Sequence, residues 1–176
     1  MFSASVHADI WSSERSELTV TGGGKRKPDG EADFLIWEMS HALRDGDRVA
    51  FSFADECASS PKGQLLTAEP NSDGPQPDFF GPMVEANILK LETRPVLNSQ
   101  CAWRFFLAQE PEVVAATDSH RQSISLHLLW NEMRPERMRV NLSRNSLREI
   151  VARTGGEELF LRYVGVGTQA QVIVGI

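Results

Sequence analysis

Residues 122–166 carry the clearest pattern of apolar and polar positions in the chain. From Ser123 to Trp130 apolar side chains alternate with polar ones, and the alternation resumes from Arg137 to Ser143 after a break that contains Pro135. A period of two is typical of a strand with one buried face. The two segments therefore predict an antiparallel hairpin that has one face on the core and the other in water.

A short helix is predicted directly after this hairpin. Ser146 and Glu149 have the spacing of a capping box, in which each side chain bonds to the backbone N–H of the other residue. Apolar residues then recur at helical spacing, and Gly155-Gly156 provides a residue that tolerates the left-handed helix end. We predict a helix over 147–154 and a strand over 158–166.

Strand patterns also occur elsewhere along the chain. They predict a hairpin from residues 2–11 and 17–22, a strand at 48–55, and a hairpin from residues 102–108 and 112–117. The last apolar segment, 171–176, is expected to pair with 158–166 through the turn Gly165-Val166-Gly167-Thr168. Residues 34–44 and 84–91 each fit both a strand and a helix.

The length of 176 residues fits one domain. The strand patterns predict a mainly β fold, an antiparallel β-sandwich or a partly open barrel, with one or two short helices at 147–154 and, in one interpretation, at 34–44. Residues 58–78 are rich in Pro, Ser, Gly and Asp and predict a long loop. Two organisations stay open: a single domain over 1–176, or two packed β subunits, 1–57 and 79–176.

Three short motifs lie within residues 17–55. They are Leu18-Thr19-Val20-Thr21-Gly22, Leu35-Ile36-Trp37 and Leu43-Arg44-Asp45-Gly46-Asp47-Arg48-Val49. Their order resembles a pattern of small uncharacterised bacterial proteins, Leu-x-Val-x-Gly, Leu-x-Trp and Leu-x-x-Gly-Asp-x-Val. The resemblance covers about a fifth of the chain. It implies a β-rich fold and brings no known activity or catalytic residue.

The motif Ser-x-Ser-x-His occurs twice. Ser3-Ala4-Ser5-Val6-His7 and Ser123-Ile124-Ser125-Leu126-His127 are each followed by a tryptophan and then by a second predicted strand. A duplicated hairpin unit would explain the similarity. Chance similarity between two β-hairpins is the other interpretation.

The net charge of −6 is unevenly distributed, with −8 in residues 1–88 and +2 in residues 89–176. This asymmetry indicates either a partner surface or two halves that attract each other. The acidic total argues against a general nucleic-acid binder. A basic run offers a candidate face for an anionic partner, whereas a solvated sheet face would carry similar charges. The candidate residues are Arg137, Arg139, Arg144 and Arg148.

Candidate catalytic and metal-binding residues are few. Ser5 and His7, and likewise Ser125 and His127, stand two apart and share a strand face, so each couple can in principle relay a proton. Neither couple has an evident third residue to orient the imidazole. The two histidines can also bind a metal together. We expect instead that His7 and His127 lie on the solvent side of their strands and lack partners.

The two cysteines, Cys57 and Cys101, provide no disulfide framework and predict thiols in a reducing cytoplasm. No run of about 18 apolar residues and no signal-peptide pattern is present, so a membrane partner is not expected. The residues therefore predict a non-enzymatic cytoplasmic protein that binds another protein or itself, as an accessory or immunity-type partner, without cofactor or metal. The alternative is a small hydrolase or metal-dependent enzyme that uses His7, His127 or a cysteine.

Overall fold

The computed structural model describes residues 1–14, 16–25, 32–54, 63–65, 86, 88–90, 92–98, 100–152 and 154–175. Within these residues the chain forms strands β1 (Phe2–Asp9), β2 (Ser16–Lys25), β3 (Ala32–Leu43), β4 (Arg48–Ser52), β5 (Gln64–Leu65), β6 (Ala102–Leu107), β7 (Val113–Ala116), β8 (Ser123–Trp130), β9 (Arg137–Asn145), β10 (Glu157–Gly165) and β11 (Gln169–Val174). The helix Leu147–Ala152 follows β9 and is called the capped helix below.

The strands form two antiparallel sheets. The large sheet has the order β10-β9-β8-β1-β2-β3-β5, and the small sheet has the order β4-β11-β6-β7. Both orders are linear, so neither sheet closes on itself within the described residues. The mainly β, antiparallel fold predicted from alternation is thereby confirmed. Strands from early and late parts of the chain mix in both sheets, since β1 pairs with β8 and β4 pairs with β11.

The core lies between the inner faces of the two sheets. Trp103 and Phe105 of the small sheet are almost completely buried. Trp103 Nε1 donates a hydrogen bond of 2.8 Å to Ser16 Oγ of β2, and the rings of Phe105 and Phe160 meet edge to face at 5.3 Å. The buried residues of the large sheet include Val6, Ile124, Leu126, Leu128, Val140 and Leu142. Alternation along each strand therefore leaves the opposite side chains on the outer face of the large sheet.

The two Ser-x-Ser-x-His segments lie side by side at the centre of the large sheet. Strand β1 pairs with β8 in a register that places Ser5 opposite His127 and His7 opposite Ser125. The register is symmetric about the pair Val6 and Leu126, so hairpins β1-β2 and β8-β9 are related by a local two-fold axis. Both histidines consequently project from the outer face, at diagonal positions of neighbouring strands.

The helix considered for residues 34–44 is wrong, because this segment forms strand β3. Strand β3 pairs with β2 from Ser16–Leu43 to Lys25–Ala32, and the ladder overrides the helical propensity of residues 38–44. The register shifts within this pairing, and Ser40 has a φ of 57°. In the other ambiguous segment, 84–91, the described residues 86 and 88–90 are helical, and Ile88 is buried.

The predicted pairing of the last strand with residues 158–166 is also wrong. Strand β11 pairs with β4 and β6 of the small sheet, whereas β10 belongs to the large sheet. The connection between them bonds to Phe53, with Phe53 N–H donating to the Thr168 carbonyl and Gly167 N–H donating to the Phe53 carbonyl. The short connection between β10 and β11, which contains Gly167, therefore leads from the large sheet to the small sheet. A hairpin turn would have a similar composition, so the sequence does not distinguish the two.

The predicted capping box is confirmed. Glu149 N–H donates to Ser146 Oγ at 3.2 Å, and Ser146 N–H donates to a Glu149 carboxylate oxygen at 2.8 Å. The capped helix ends at Ala152, earlier than predicted, and Gly155 has a φ of 68°. This local signal is reliable because both partners lie within one helical turn.

Two residues of the short motifs in 17–55 are in contact. Gly22 of β2 lies under the ring of Trp37 of β3, so closely that a Cβ atom at position 22 would be 2.9 Å from Trp37 Cζ3. Gly63 approaches the same ring equally closely. Of the predicted loop 58–78, only residues 63–65 are described, and Gln64–Leu65 pairs with β3.

Candidate functional site

The four arginines predicted as one anionic-partner face do not lie together. Side chains alternate along β9, and Met138 and Val140 are buried on its inner face. Arg137 and Arg139 therefore project from the outer face. Arg144 projects from the opposite face and donates to the Glu157 carboxylate at 2.6 Å. Arg148 lies on the capped helix and pairs with Glu92 at 3.4 Å. Only Arg137 and Arg139 therefore contribute to a common surface.

These two arginines line a pocket of about 330 Å³ at the connection between β8 and β9, which we call the arginine pocket. A third arginine, Arg134, joins them from the connection itself. Two backbone hydrogen bonds hold it there, from Arg134 N–H to the Asn131 carbonyl and from Arg137 N–H to the Arg134 carbonyl. Arg134 belongs to the same basic run of the sequence, but it lies between the two predicted strands and is not among the candidate residues of the face. The remaining lining residues are Met1, Leu129, Trp130, Asn131, Met133 and Tyr163.

The walls of the arginine pocket are aromatic and apolar. Trp130 Nε1 donates to the Pro135 carbonyl at 3.1 Å and thereby ties the β8–β9 connection to the end of β8. The guanidinium of Arg137 stacks 4.6 Å from the centre of the Tyr163 ring. Met133 is 84% exposed and Tyr163 is 58% exposed, so large apolar surface remains available next to the charges.

The arginine pocket carries positive charge that no described carboxylate neutralises. No ion pair joins Arg134, Arg137 or Arg139 to a carboxylate of the described residues. Five other arginines do have carboxylate partners: Arg104, Arg121, Arg144, Arg148 and Arg162. Desolvation, and after it electrostatic interactions with His7 and Arg139, lower the pKa of His127 on the neighbouring strand. Of the three arginines of the pocket, Arg139 is the one that acts on His127.

A second polar cluster lies around His7. The ring nitrogen Nδ1 is 3.0 Å from Ser125 Oγ, and Nε2 is 3.3 Å from an Asp9 carboxylate oxygen. The expectation that His7 lacks partners is therefore wrong, because its serine partner comes from the adjacent strand and Asp9 supplies the third residue. His127 lies on the solvent side of its strand as expected, although its surroundings partly desolvate the ring, and none of the described residues shares a hydrogen bond with it.

The remaining candidate residues contribute less. Cys101 is a buried thiol that donates to the Asp9 carbonyl at 3.5 Å, whereas Cys57 lies outside the described residues. Among the residues that the structure describes, no group of three or more His, Cys, Asp or Glu side chains is arranged to hold a metal ion. No helix in the described parts of the chain is long and apolar enough to cross a membrane.

The fold and the pocket define a two-sheet antiparallel β protein with a positively charged, aromatic pocket on the outer face of its large sheet. Comparisons with protein-family models, with curated proteins and with solved structures found no match. The resemblance of residues 17–55 to small bacterial proteins stays a prediction.

Proposed function

We propose that this protein binds an acidic segment of a partner protein in the arginine pocket. The observation that carries the proposal is the cluster of Arg134, Arg137 and Arg139, which have no carboxylate partner among the described residues and which surround exposed aromatic and apolar side chains. The bound segment would present carboxylates to the guanidinium groups and an apolar side chain to Trp130 and Tyr163.

The chemistry of arginine supports an anionic ligand. A guanidinium group offers its donors in a planar fork that matches a carboxylate, and such bidentate bonds are both stronger and more specific than neutral hydrogen bonds. Arg137 is held against Tyr163, so less side-chain freedom is lost when a ligand binds. The concentration of positive charge is local, since the whole chain carries −6.

The composition of the arginine pocket supports a protein ligand over a nucleic acid. Tryptophan, tyrosine, methionine and arginine are the residue types enriched in protein interfaces, and lysine is depleted there. The pocket contains the enriched types and no lysine. A general nucleic-acid surface would require an extended basic face, which an acidic chain with one local cluster does not provide.

An accessory or immunity-type role in a bacterial cytoplasm is part of the same proposal. The chain has only two cysteines and therefore no disulfide framework, which is typical of a protein of a reducing compartment. Cell fractionation of a host that expresses the full chain tests this location.

A binding experiment with peptides tests the pocket. The probe is a fluorescein-labelled peptide in which glutamates flank one phenylalanine, and its anisotropy is followed on titration with the full chain. We expect a peptide with glutamine in place of the glutamates not to bind. A peptide with alanine in place of the phenylalanine should bind more weakly than the original. Equal binding of the neutral peptide would overturn the proposal.

Two triple variants separate the pocket from the general charge of the protein. The pocket variant carries Arg134→Gln, Arg137→Gln and Arg139→Gln. The control variant has the same change of charge at Arg104→Gln, Arg148→Gln and Arg162→Gln, whose exposed ion pairs contribute little to stability. We expect the pocket variant to bind at least about tenfold more weakly, because a hydrogen bond to a charged group is worth about 1.5–3 kcal/mol. Equal loss in both variants would contradict a local site.

A second copy of the chain is another source of an acidic segment. Sedimentation of the wild-type protein and of the pocket variant distinguishes this source from a different partner protein. A dimer that is present in the wild type and lost in the pocket variant would identify the second copy as the partner.

A further inference from the structure

A separate cleft of about 450 Å³ lies on the outer face of the large sheet, beyond the arginine pocket. It is bounded by the end of β1, by the turn that follows it and by the capped helix, and the side chains of His7, Asp9 and Arg94 line it. Leu147 and Ile150 of the capped helix form its apolar wall. The cleft combines titratable groups with an apolar surface, as sites for small molecules commonly do.

A continuous chain of hydrogen bonds runs from this cleft into the sheet. Asp9 Oδ1 accepts the backbone N–H groups of Trp11 and Ser12 at 2.8 and 2.7 Å, which leaves Oδ2 for His7 Nε2 at 3.3 Å. The other ring nitrogen, Nδ1, is 3.0 Å from Ser125 Oγ. If Nε2–H donates to the carboxylate, Nδ1 is the acceptor of the serine proton. The order carboxylate, imidazole, hydroxyl is that of an activated serine, with the two ring nitrogens exchanged relative to the Ser-His-Asp triad.

The same contacts keep Asp9 ionised. Desolvation opposes this state, but the hydrogen bonds from His7 and from the N–H groups of Trp11 and Ser12 outweigh it and lower the pKa of Asp9. An ionised carboxylate orients the imidazole and stabilises the imidazolium that forms when His7 takes a proton. The backbone turn thus serves as a support for the histidine.

We propose that Ser125 and His7 are the catalytic residues of an esterase site and that Asp9 is their positioning residue. Ser125 Oγ bonds to the acyl carbon of a carboxylic ester while its proton passes to His7 Nδ1. The bond from the acyl carbon to the alcohol oxygen then breaks, and the alcohol leaves with that proton. Water hydrolyses the acyl-serine by the reverse proton path, which releases the carboxylic acid and restores Ser125.

The surroundings restrict the substrate class. Ser125 is only 8% exposed and is linked through His7 to the residues that line the cleft, so the proposed site suits a small acyl group better than a bulky one. Arg94 also lines the cleft, and the proposal assigns to it the stabilisation of the negative oxygen that develops during acyl transfer. The expected substrates are therefore esters of short acids such as acetate.

The local two-fold symmetry of the sheet provides an internal control. Ser5 and His127 occupy the positions related to Ser125 and His7, but Leu129 stands where the related position has Asp9. No hydrogen bond joins Ser5 and His127 in the described structure. The related couple therefore has the same residue types and lacks the positioning carboxylate.

A fluorophosphonate probe tests the nucleophile in the full chain, since it forms a bond from phosphorus to an activated serine oxygen with loss of fluoride. We expect peptide mapping to locate the label on Ser125, with no label in Ser125→Ala. The rate of labelling should fall by about a hundredfold or more in His7→Ala, because a general base usually contributes a factor of that size. It should be unchanged in the control Ser5→Ala, His127→Ala. Absence of label on Ser125 in the wild type, or equal labelling of Ser125 in His7→Ala, would overturn the proposal.

The role of Asp9 and the substrate class need two further measurements. Asp9→Asn should slow labelling in the wild-type background and have no further effect in the His7→Ala background, whereas damage to the fold would act in both. Hydrolysis of 4-nitrophenyl acetate should exceed that of the octanoate ester and should be lost in Ser125→Ala. Equal hydrolysis by Ser125→Ala would contradict the assignment of the nucleophile.

Discussion

His7 Nδ1 lies 3.0 Å from Ser125 Oγ, although 118 residues separate the two in the chain. The contact arises because β1 and β8 are neighbours in the large sheet and their register places these residues opposite each other. Directly opposed side chains on one face of an antiparallel pair interact closely. Ser5 lies two residues before His7 on β1, but it faces His127 of β8 and not His7.

The first prediction concerns the strength of this contact. A double-mutant cycle of His7→Ala and Ser125→Ala should give a coupling free energy of about 0.5–1.5 kcal/mol, the net value of a hydrogen bond in a folded protein. The related cycle of His127→Ala and Ser5→Ala should give a coupling near zero. Denaturant unfolding of both sets measures the two couplings, and equal values would contradict the asymmetry between the couples.

The second prediction concerns the titration of His127. Its pKa is lowered by desolvation and by the charges of His7 and Arg139. The neutral ring is therefore favoured in the folded state, and its contribution to stability is present above the unfolded pKa of about 6.5 and is lost as the pH falls through the lower folded pKa. NMR titration should show this lowered pKa, and His7→Ala and Arg139→Gln should each raise it. An unchanged pKa in both variants would contradict the stated cause.

The third prediction concerns the cap of the helix Leu147–Ala152. Ser146→Ala removes the oxygen that accepts from Glu149 N–H and should lower the free energy of unfolding by about 1 kcal/mol. Ser13→Ala, at an exposed serine of a turn, is the matched control and should change stability by less than about 0.5 kcal/mol. Equal denaturation midpoints for the two variants would show that the cap does not stabilise the helix.

The fourth prediction concerns acid stability. Hydrogen bonds from the Ser146 backbone and hydroxyl, together with Arg121, lower the pKa of Glu149 from 4.5 to about 2. Because the ionised form is favoured in the folded state, the stabilisation is present above pH 4.5 and is lost as the pH falls toward 2. Glu149→Gln should therefore flatten the decline of stability across this interval. Parallel curves of unfolding free energy against pH for the two proteins would contradict this prediction.

The fifth prediction concerns the contact of Gly22 with Trp37. Gly22→Ala would place a methyl group 2.9 Å from the indole ring and 3.1 Å from the Met1 carbonyl oxygen. Overpacking of this kind costs about 1–3 kcal/mol. Gly165→Ala is the matched control, because the nearest atom would be 3.9 Å away. Thermal unfolding of both variants should show a loss of stability only for Gly22→Ala.

The parts of this structure that the sequence by itself determined are those whose causes are local. Alternation predicted β8 and β9, because side chains of a strand point to opposite faces residue by residue. The spacing of Ser146 and Glu149 predicted the capped helix, because both partners of a capping box lie within one turn. In each case the interacting groups are separated by only a few residues.

The tertiary structure decided everything that depends on which distant strands become neighbours. Residues 34–44 became strand β3 through pairing with β2, and β11 joined the small sheet although its nearest neighbour in the chain is β10. The candidate sites have the same origin. Arg134, Arg137 and Arg139 meet Tyr163 only because β10 lies beside β9.

The partner of His7 is the clearest example of this division. The sequence shows that His7 and two serines share polar strand positions, but it does not show which strand lies beside β1. Register between strands is set by the burial of whole apolar faces in a common core, and that burial depends on the complete set of strands. A local pattern therefore determines which way a side chain points, and only the assembled sheet determines what it meets.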